Sequence, residues 1–265
     1  GHRLSALADP SGFPVHLKGI LNGETVDETR KVTSVRRALS TASDWDAVNA
    51  VFCEQADWAI SNTGDVGFDP LPADAAPSPR QDMSFPAKLF HLLKARHRSG
   101  AGPITIMPLE LVPQNGTVLR QRVLAVARAN KTDDDVMRYL DSCLWASSLV
   151  DRIVSQPIEP AGAIAEPYSL WAIERQEGLS APCQHEAVRL VDDLEPFQRL
   201  KLHILNLGHT VLVELWRTAG GPARLTVREA MTSRLGDELI AIMRNEVLAG
   251  FEIRALGPQS VEYLD

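Results

Sequence analysis

Cysteine is scarce in this chain and unpaired in pattern: Cys53, Cys143 and Cys183 are odd in number, widely spaced and in no CxxC pair. That excludes a disulfide framework and gives no zinc signature, so a reducing, cytoplasmic setting fits best. A clustered basic face is also missing. With a net charge of −7 and a pI near 5.5, a nucleic-acid-coating role is not expected. No apolar run suggests a transmembrane span, and the start, Gly1-His2-Arg3-Leu4, lacks the apolar segment of a secretory signal. No membrane partner is therefore expected. His91, His97, His185 and His203 form no metal-ligand spacing with acidic or thiol neighbours, so no metal is expected either. One further absence weighs most: there is no GxGxxG turn. Gly100 and Gly102 lie between a helix and the next strand, and Gly64 and Gly67 match half the pattern. A dinucleotide site needs such a turn so that backbone can approach the pyrophosphate at a helix N-terminus.

What is present is an ordinary folding composition, 45% hydrophobic and 23% charged, over 265 residues, enough for one large core or two smaller ones. A Pro/Ala-rich stretch from Pro70 to Pro79 reads as a surface loop. Val15 to Leu21 alternates into the turn Asn22-Gly23, and Thr25 to Val35 continues with strand-favouring residues, which predicts a hairpin. Thr41 or Ser43 can cap a helix through Val51, and Trp58 to Ser61 is a short strand. Phe85 to Arg96 is a helix started by Ser84 with Pro86 in its first turn, and Ile104 to Met107 is a second strand. Alternation of strand and helix predicts an α/β domain with a parallel sheet, ligands binding beyond the strands' carboxyl ends at Ser61-Asn62-Thr63-Gly64-Asp65 and Pro108 to Leu111. Beyond Ser155 long helical patterns are expected over Glu186 to Leu194, Phe197 to Arg217 and Thr226 to Phe251. The domain break is placed near Gln156 to Ala163, which divides the chain into 1–155 and 156–265.

From Phe197 to Trp216 the sequence is apolar nearly all round, the pattern of a buried helix. Lys201, Asn206 and His209 interrupt it and share a sector of roughly 140° at about 100° per residue. A desolvated lysine can give and take protons near neutral pH, an asparagine amide can donate to a developing alkoxide, and a histidine can hold a substrate hydroxyl or orient the lysine. The competing view is that Lys201 snorkels to solvent and His209 is a satisfied core histidine. Residue types alone leave both open.

The spacing Lys201-x4-Asn206-x2-His209 resembles the signature of the mannitol dehydrogenase family, the polyol-specific long-chain dehydrogenases. Ser148 to Val154, with Asp151-Arg152-Ile153, resembles the family's VDRI segment, and Ala165 to Glu174 the strand-like segment after it. Gly23 to Glu28, Ser61-Asn62-Thr63, Ser84 to Leu89, and Glu110-Leu111 with Asn115-Gly116 are most similar to its tagaturonate reductase branch. The resemblance implies a partial Rossmann-like dinucleotide-binding domain over 1–155, lacking its first nucleotide-binding unit, followed by a mainly α-helical substrate domain over 156–265. It implies Lys201 as general acid/base, Asn206 in an oxyanion site and His209 on substrate, with no metal. It also assigns Asp151, Arg152, Asn115, Ser61, Asn62 and Thr63 to the substrate or cofactor cleft. At residue level bland roles compete: Asp151-Arg152 as a salt bridge, Asn115-Gly116 as a turn, Glu166 and Glu174 as the exposed face of a strand.

Two departures matter. Gly64-Asp65 stands where the family usually reads Thr-Glu. Gln198 stands where mannitol dehydrogenases carry a glutamate one turn before the lysine, and an amide cannot relay a proton. The implied function is an NAD-dependent oxidoreductase interconverting a keto sugar acid of the tagaturonate or fructuronate type and its aldonate, NADP being the other cofactor that fits. The alternatives are a polyol dehydrogenase for mannitol or arabinitol, and a non-catalytic relative acting as a binding module. The family's glycine-rich turn and its last substrate-binding helices are not among these residues.

Overall fold

A computed structural model of the chain describes residues 2–21, 23–64 and 66–252. After a short helix α1 (His2–Leu7), the expected hairpin forms: β1 (Phe13–Leu21) and β2 (Glu24–Val32) run antiparallel from Phe13 opposite Val32 to Leu21 opposite Glu24. Gly23 closes the turn at φ 79°, a conformation glycine enters without steric cost, while Asn22 lies outside the described residues. Charged residues crowd β2, which is an edge strand, and charge at an edge discourages further pairing.

Strands and helices then alternate as α2 (Trp45–Glu54), β3 (Trp58–Ser61), α3 (Phe85–Arg98) and β4 (Thr105–Pro108), and α4 (Asn115–Ala129), α5 (Asp134–Ser142) and β5 (Leu144–Trp145) follow. β3, β4 and β5 make a parallel three-stranded sheet in that order. Ser84 caps α3 as the sequence predicts, its Oγ accepting from the Ala87 N–H at 3.3 Å. The cap of α2 differs: it is Asp44, not Thr41 or Ser43, and its carboxylate accepts from the Ser40 N–H at 2.8 Å. On one face of the sheet, Phe90 and Leu93 of α3, Leu119 and Val123 of α4 and Leu140 of α5 are buried in one cluster with Ile106 of β4.

The chain continues with five strands: β6 (Ser148–Asp151), β7 (Val154–Ile158), β8 (Gly162–Ala165), β9 (Leu170–Glu174), which falls in the segment expected to be strand-like, and β10 (Val188–Val191). The helix expected over 186–194 is a correction. Val188, Leu190 and Val191 suit a short strand as well as one helix face, and parallel pairing with β9 decides the matter. β7 and β8 extend the hairpin into a sheet of order β2-β1-β8-β7, whereas β10-β9-β6 forms a separate sheet. Ile173 of β9 packs with Met107 and Ala146, covering the second face of β4 and β5. At the open edge of β3, Trp58 and Ile60 stay exposed.

The chain divides into two compact units at Asp192/Asp193 rather than at 155/156. Pro and Gly near residue 160 mark the turn between β7 and β8, and pairing of β8 with β1 ties this segment to the first unit. In the second unit α6 (Glu195–Leu200) runs into a π-helical stretch, Lys201–Asn206, and then α7 (Leu207–Thr218). The expected helix from Thr226 onward is broken. A capping box of Thr226 and Glu229 starts α8 (Val227–Met231), and Ser233 restarts the chain as α9 (Arg234–Ile242). A second π-helical stretch, Met243–Val247, leads to α10 (Leu248–Glu252).

Candidate active site

Ligands of open parallel sheets bind beyond the carboxyl ends of the strands. At the end of β3 the segment Ser61-Asn62-Thr63 is held by a carboxylate absent from the expected site set, that of Glu110, just past β4. Glu110 is 3% exposed. Its Oε2 accepts from Ser61 Oγ at 2.9 Å, and its Oε1 accepts from both the Thr63 N–H and Thr63 Oγ1 at 2.9 Å. The Leu109 N–H donates to the Ser61 carbonyl at 2.8 Å and carries the β3–β4 pairing past the strands. Ser61 is thus buried while Asn62 stays exposed. Gly64 follows at φ 83°, in the left-handed region, where a glutamate or threonine would be strained. A Cβ on Gly67 would sit 1.8 Å from Thr63 Oγ1, so the turn is packed against its own glycine.

Asn115 is not on a surface turn. It is the first residue of α4, 1% exposed, with its amide spent inside the protein. Nδ2 donates to the carbonyls of Pro108 (3.0 Å), Glu110 (2.9 Å) and Ser148 (2.9 Å), and Oδ1 accepts from the N–H groups of Gly116 and Ser148, both at 2.9 Å. Three carbonyls on one side and two N–H groups on the other fix the orientation of the amide. Asn115 therefore clamps the start of β6 to the end of β4. Gly116 lets α4 approach, since a Cβ there would come within 2.6 Å of the Ala146 and Ser147 backbone.

Asp151, at the end of β6, is 3% exposed. Arg152 is exposed and turns to backbone, donating from Nε to the Glu166 carbonyl at 3.0 Å and from Nη2 to that of Pro167 at 3.4 Å. Glu166 is more than strand surface, because its Oε1 accepts from the Ile153 N–H at 2.6 Å.

In the second unit the helix carrying Lys201 is not buried on all sides. Leu200, Ile204 and Leu212 are buried with Met243 and Leu239, and Gly208 lies buried between them, but Leu202 is 54% and Val213 58% exposed. A modest helical unit covers one face only. The buried positions recur at a strict spacing of four, which drifts round a regular α-helix by about 40° per step. A π-helical turn, closed by i→i+5 bonds, holds more residues and cancels that drift. The same widening acts on the polar residues. Lys201 and Asn206 would stand about 140° apart in an α-helix, and at about four residues per turn this falls to about 90°. Lys201, Asn206 and His209 are drawn toward one face.

Lys201 and His209 are half-buried and Asn206 is exposed. His209 Nδ1 lies 3.0 Å from the Leu205 carbonyl, which can only accept, so Nδ1 carries the proton and Nε2 of the neutral ring is left as an acceptor. Leu205, Gly208, Met231 and Ile240 join His209 around a small apolar pocket of about 170 Å³ that backs the ring.

The family model described as the mannitol dehydrogenase Rossmann domain matches residues 7–183, and the chain belongs to that family. An altronate oxidoreductase of Klebsiella pneumoniae is 32% identical over 233 residues, 79% of this chain and 47% of the relative. Another, of Bacillus subtilis, is 27% identical over 272 residues, 90% of this chain and 56% of the relative. The chain thus spans about half the length of these curated relatives. Among solved structures it matches a D-sorbitol dehydrogenase in substrate-free form with TM-score 0.76 at 16% identity, covering 99% of this chain and 61% of that one. A Pseudomonas fluorescens mannitol 2-dehydrogenase in ternary complex with NAD and D-mannitol gives 0.75 at 18%, covering 99% and 59%. These likenesses define the fold: a Rossmann-type α/β domain followed by helices. Among the described residues no group of three or more His, Cys, Asp or Glu side chains is placed to hold a metal ion, and no helix is long and apolar enough to cross a membrane.

Proposed function

We propose that this chain carries the substrate-reducing machinery of an NAD-dependent oxidoreductase that interconverts a keto sugar acid, of the tagaturonate or fructuronate type, and the corresponding aldonate without a metal. The observation that supports the proposal is the π-helical stretch that runs from Lys201 to Asn206, with His209 three residues further on, since π-helical turns often mark functional sites. The altronate oxidoreductase relatives favour a sugar acid over a neutral polyol. Gln198 in place of a relaying carboxylate points the same way.

For the cofactor, the residues present fit the outer part of a dinucleotide site. The carboxyl ends of β3 and β4 converge on an exposed Asn62 and the left-handed Gly64, and this turn is held from behind. Asn62 and the Thr63-Gly64 backbone would border the cofactor, with NADP the other dinucleotide that fits. When bound, a nicotinamide supplies or accepts the hydride. Lys201 Nζ gives its proton to the carbonyl oxygen as that becomes a hydroxyl, and takes it back in the reverse direction. Asn206 Nδ2 donates to the same oxygen while it carries charge. His209, fixed through Nδ1, accepts at Nε2 from a neighbouring substrate hydroxyl.

Replacing Lys201 by Ala in the complete gene product is expected to lower kcat by about two to four powers of ten, the range for a lost general acid/base. NADH affinity, read by fluorescence titration, is expected to stay within about twofold, and a small primary amine should restore part of the rate. Near-full activity of Lys201→Ala would refute the role given to this residue.

A further inference from the structure

We infer that Glu110 is a positioning residue: its buried carboxylate sets the Ser61-Asn62-Thr63 turn at the mouth of the parallel sheet, and through it the side of the site that receives the dinucleotide. The identity of that ligand rests on the dehydrogenase reading; the positioning itself does not.

Glu110 lies just past β4, 3% exposed, yet everything its carboxylate is seen to grip belongs to the end of β3 and the turn that follows it. Both oxygens are used, Oε2 by one hydroxyl and Oε1 by a backbone N–H and a second hydroxyl, each at 2.9 Å. Hydrogen bonds to an ionised acceptor are about twice as strong as neutral ones. The backbone of Glu110 is itself fixed, since its carbonyl accepts from Asn115 Nδ2 at 2.9 Å and from the Val112 N–H at 2.8 Å. Rigidity therefore passes from the start of α4, through Glu110, to the turn that bears the exposed Asn62. A group so occupied serves to hold the turn, not to transfer a proton to substrate.

That distinction can be tested because glutamine can replace glutamate in the one role and not the other. In Glu110→Gln the amide oxygen can face the two Thr63 donors while the NH2 donates to Ser61 Oγ, since a hydroxyl accepts as well as donates. All three bonds survive. In Glu110→Ala none does. Amide hydrogen exchange over residues 61–64 of the ligand-free protein is expected to quicken at least about tenfold in Glu110→Ala, the equivalent of losing one charge-assisted bond. In Glu110→Gln it should stay within about threefold of the wild type. NADH titration of the complete gene product should follow the same order: at least about tenfold weaker in Glu110→Ala, with kcat changed less than KM, and nearly unchanged in Glu110→Gln. Should Glu110→Ala not fold, Thr63→Val at the exposed end of the network removes one donor and should give the same pattern at smaller amplitude. Unchanged exchange in Glu110→Ala, or in Thr63→Val if that is the variant that folds, overturns the positioning role. Faster exchange with unaltered NADH affinity overturns its link to the dinucleotide. If the wild type binds neither NADH nor NADPH while exchange behaves as expected, the dehydrogenase reading fails and the positioning stands. A collapse of kcat in Glu110→Gln with normal exchange would make Glu110 a proton-transfer group and overturn the inference.

Discussion

Replacement of Asn115 by alanine tests whether this residue is a clamp or a ligand contact, and the structure sets the size of the effect. The Pro108 carbonyl would keep Ser148 Oγ as a donor at 2.6 Å, and the Glu110 carbonyl would keep the Val112 N–H at 2.8 Å. The N–H groups of Ser148 and Gly116, however, both donate to Asn115 Oδ1 and would lose that acceptor inside a buried site. At about 1–3 kcal/mol for each stranded buried donor, the loss is expected to be about 3 kcal/mol or somewhat more once the small void is counted. Asn115→Asp should be worse, since a carboxylate would face three carbonyl oxygens where an NH2 now donates. Urea unfolding followed by tryptophan fluorescence measures both, Trp145 being buried in the adjoining core. A loss below about 1 kcal/mol in Asn115→Ala, accompanied by a tenfold fall in NADH affinity, would refute the clamp and restore Asn115 to the ligand site.

Two more outcomes follow from packing and burial. Gly116→Ala should destabilise by about 2 kcal/mol or more, since the new methyl meets strand backbone that cannot move aside, whereas Gly208→Ala, with nothing within 4 Å of its Cβ position, should gain up to about 1 kcal/mol in the same urea assay. Desolvation by burial pushes the Tyr139 hydroxyl up to about 12, a neighbouring cysteine adding to it. The unfolded chain then ionises this tyrosine from about pH 10, while the folded chain holds the proton. Stability should therefore fall between pH 10 and about 12, by at most about 2–3 kcal/mol from this group, and Tyr139→Phe should lessen that slope.

How far the sequence could be read depended on whether a signal was local. The hairpin over β1 and β2 announced itself by alternation and a turn dipeptide, α3 by Ser84 and Pro86, and the Lys201 helix by three polar residues in an apolar run. Residues 186–194 misled because Val188 to Val191 suits either period and only pairing with β9 resolves it. Asn115 looked like turn chemistry because Asn-Gly usually is; its partners at Pro108 and Ser148 are set by sheet topology, which no spacing displays. Glu110 was placed at a ligand-binding strand end but given no role of its own, although it carries the signal that exposed Lys201, a lone charge within Leu109 to Val112. The π-helical turn also left a trace, in buried Leu200, Ile204, Gly208 and Leu212 at intervals of four, a period too long for an α-helix.

Substrate choice bears most directly on the proposed function. NADH oxidation by the complete gene product should be followed with tagaturonate, fructuronate and fructose in parallel. An enzyme that pairs the substrate's carboxylate with a cation gains several kcal/mol over a neutral analogue, so kcat/KM for at least one keto sugar acid should exceed that for fructose by about a hundredfold or more. Equal or faster reduction of fructose would make the protein a polyol dehydrogenase, and no oxidation of NADH or NADPH with any of the three would contradict the proposed catalysis outright.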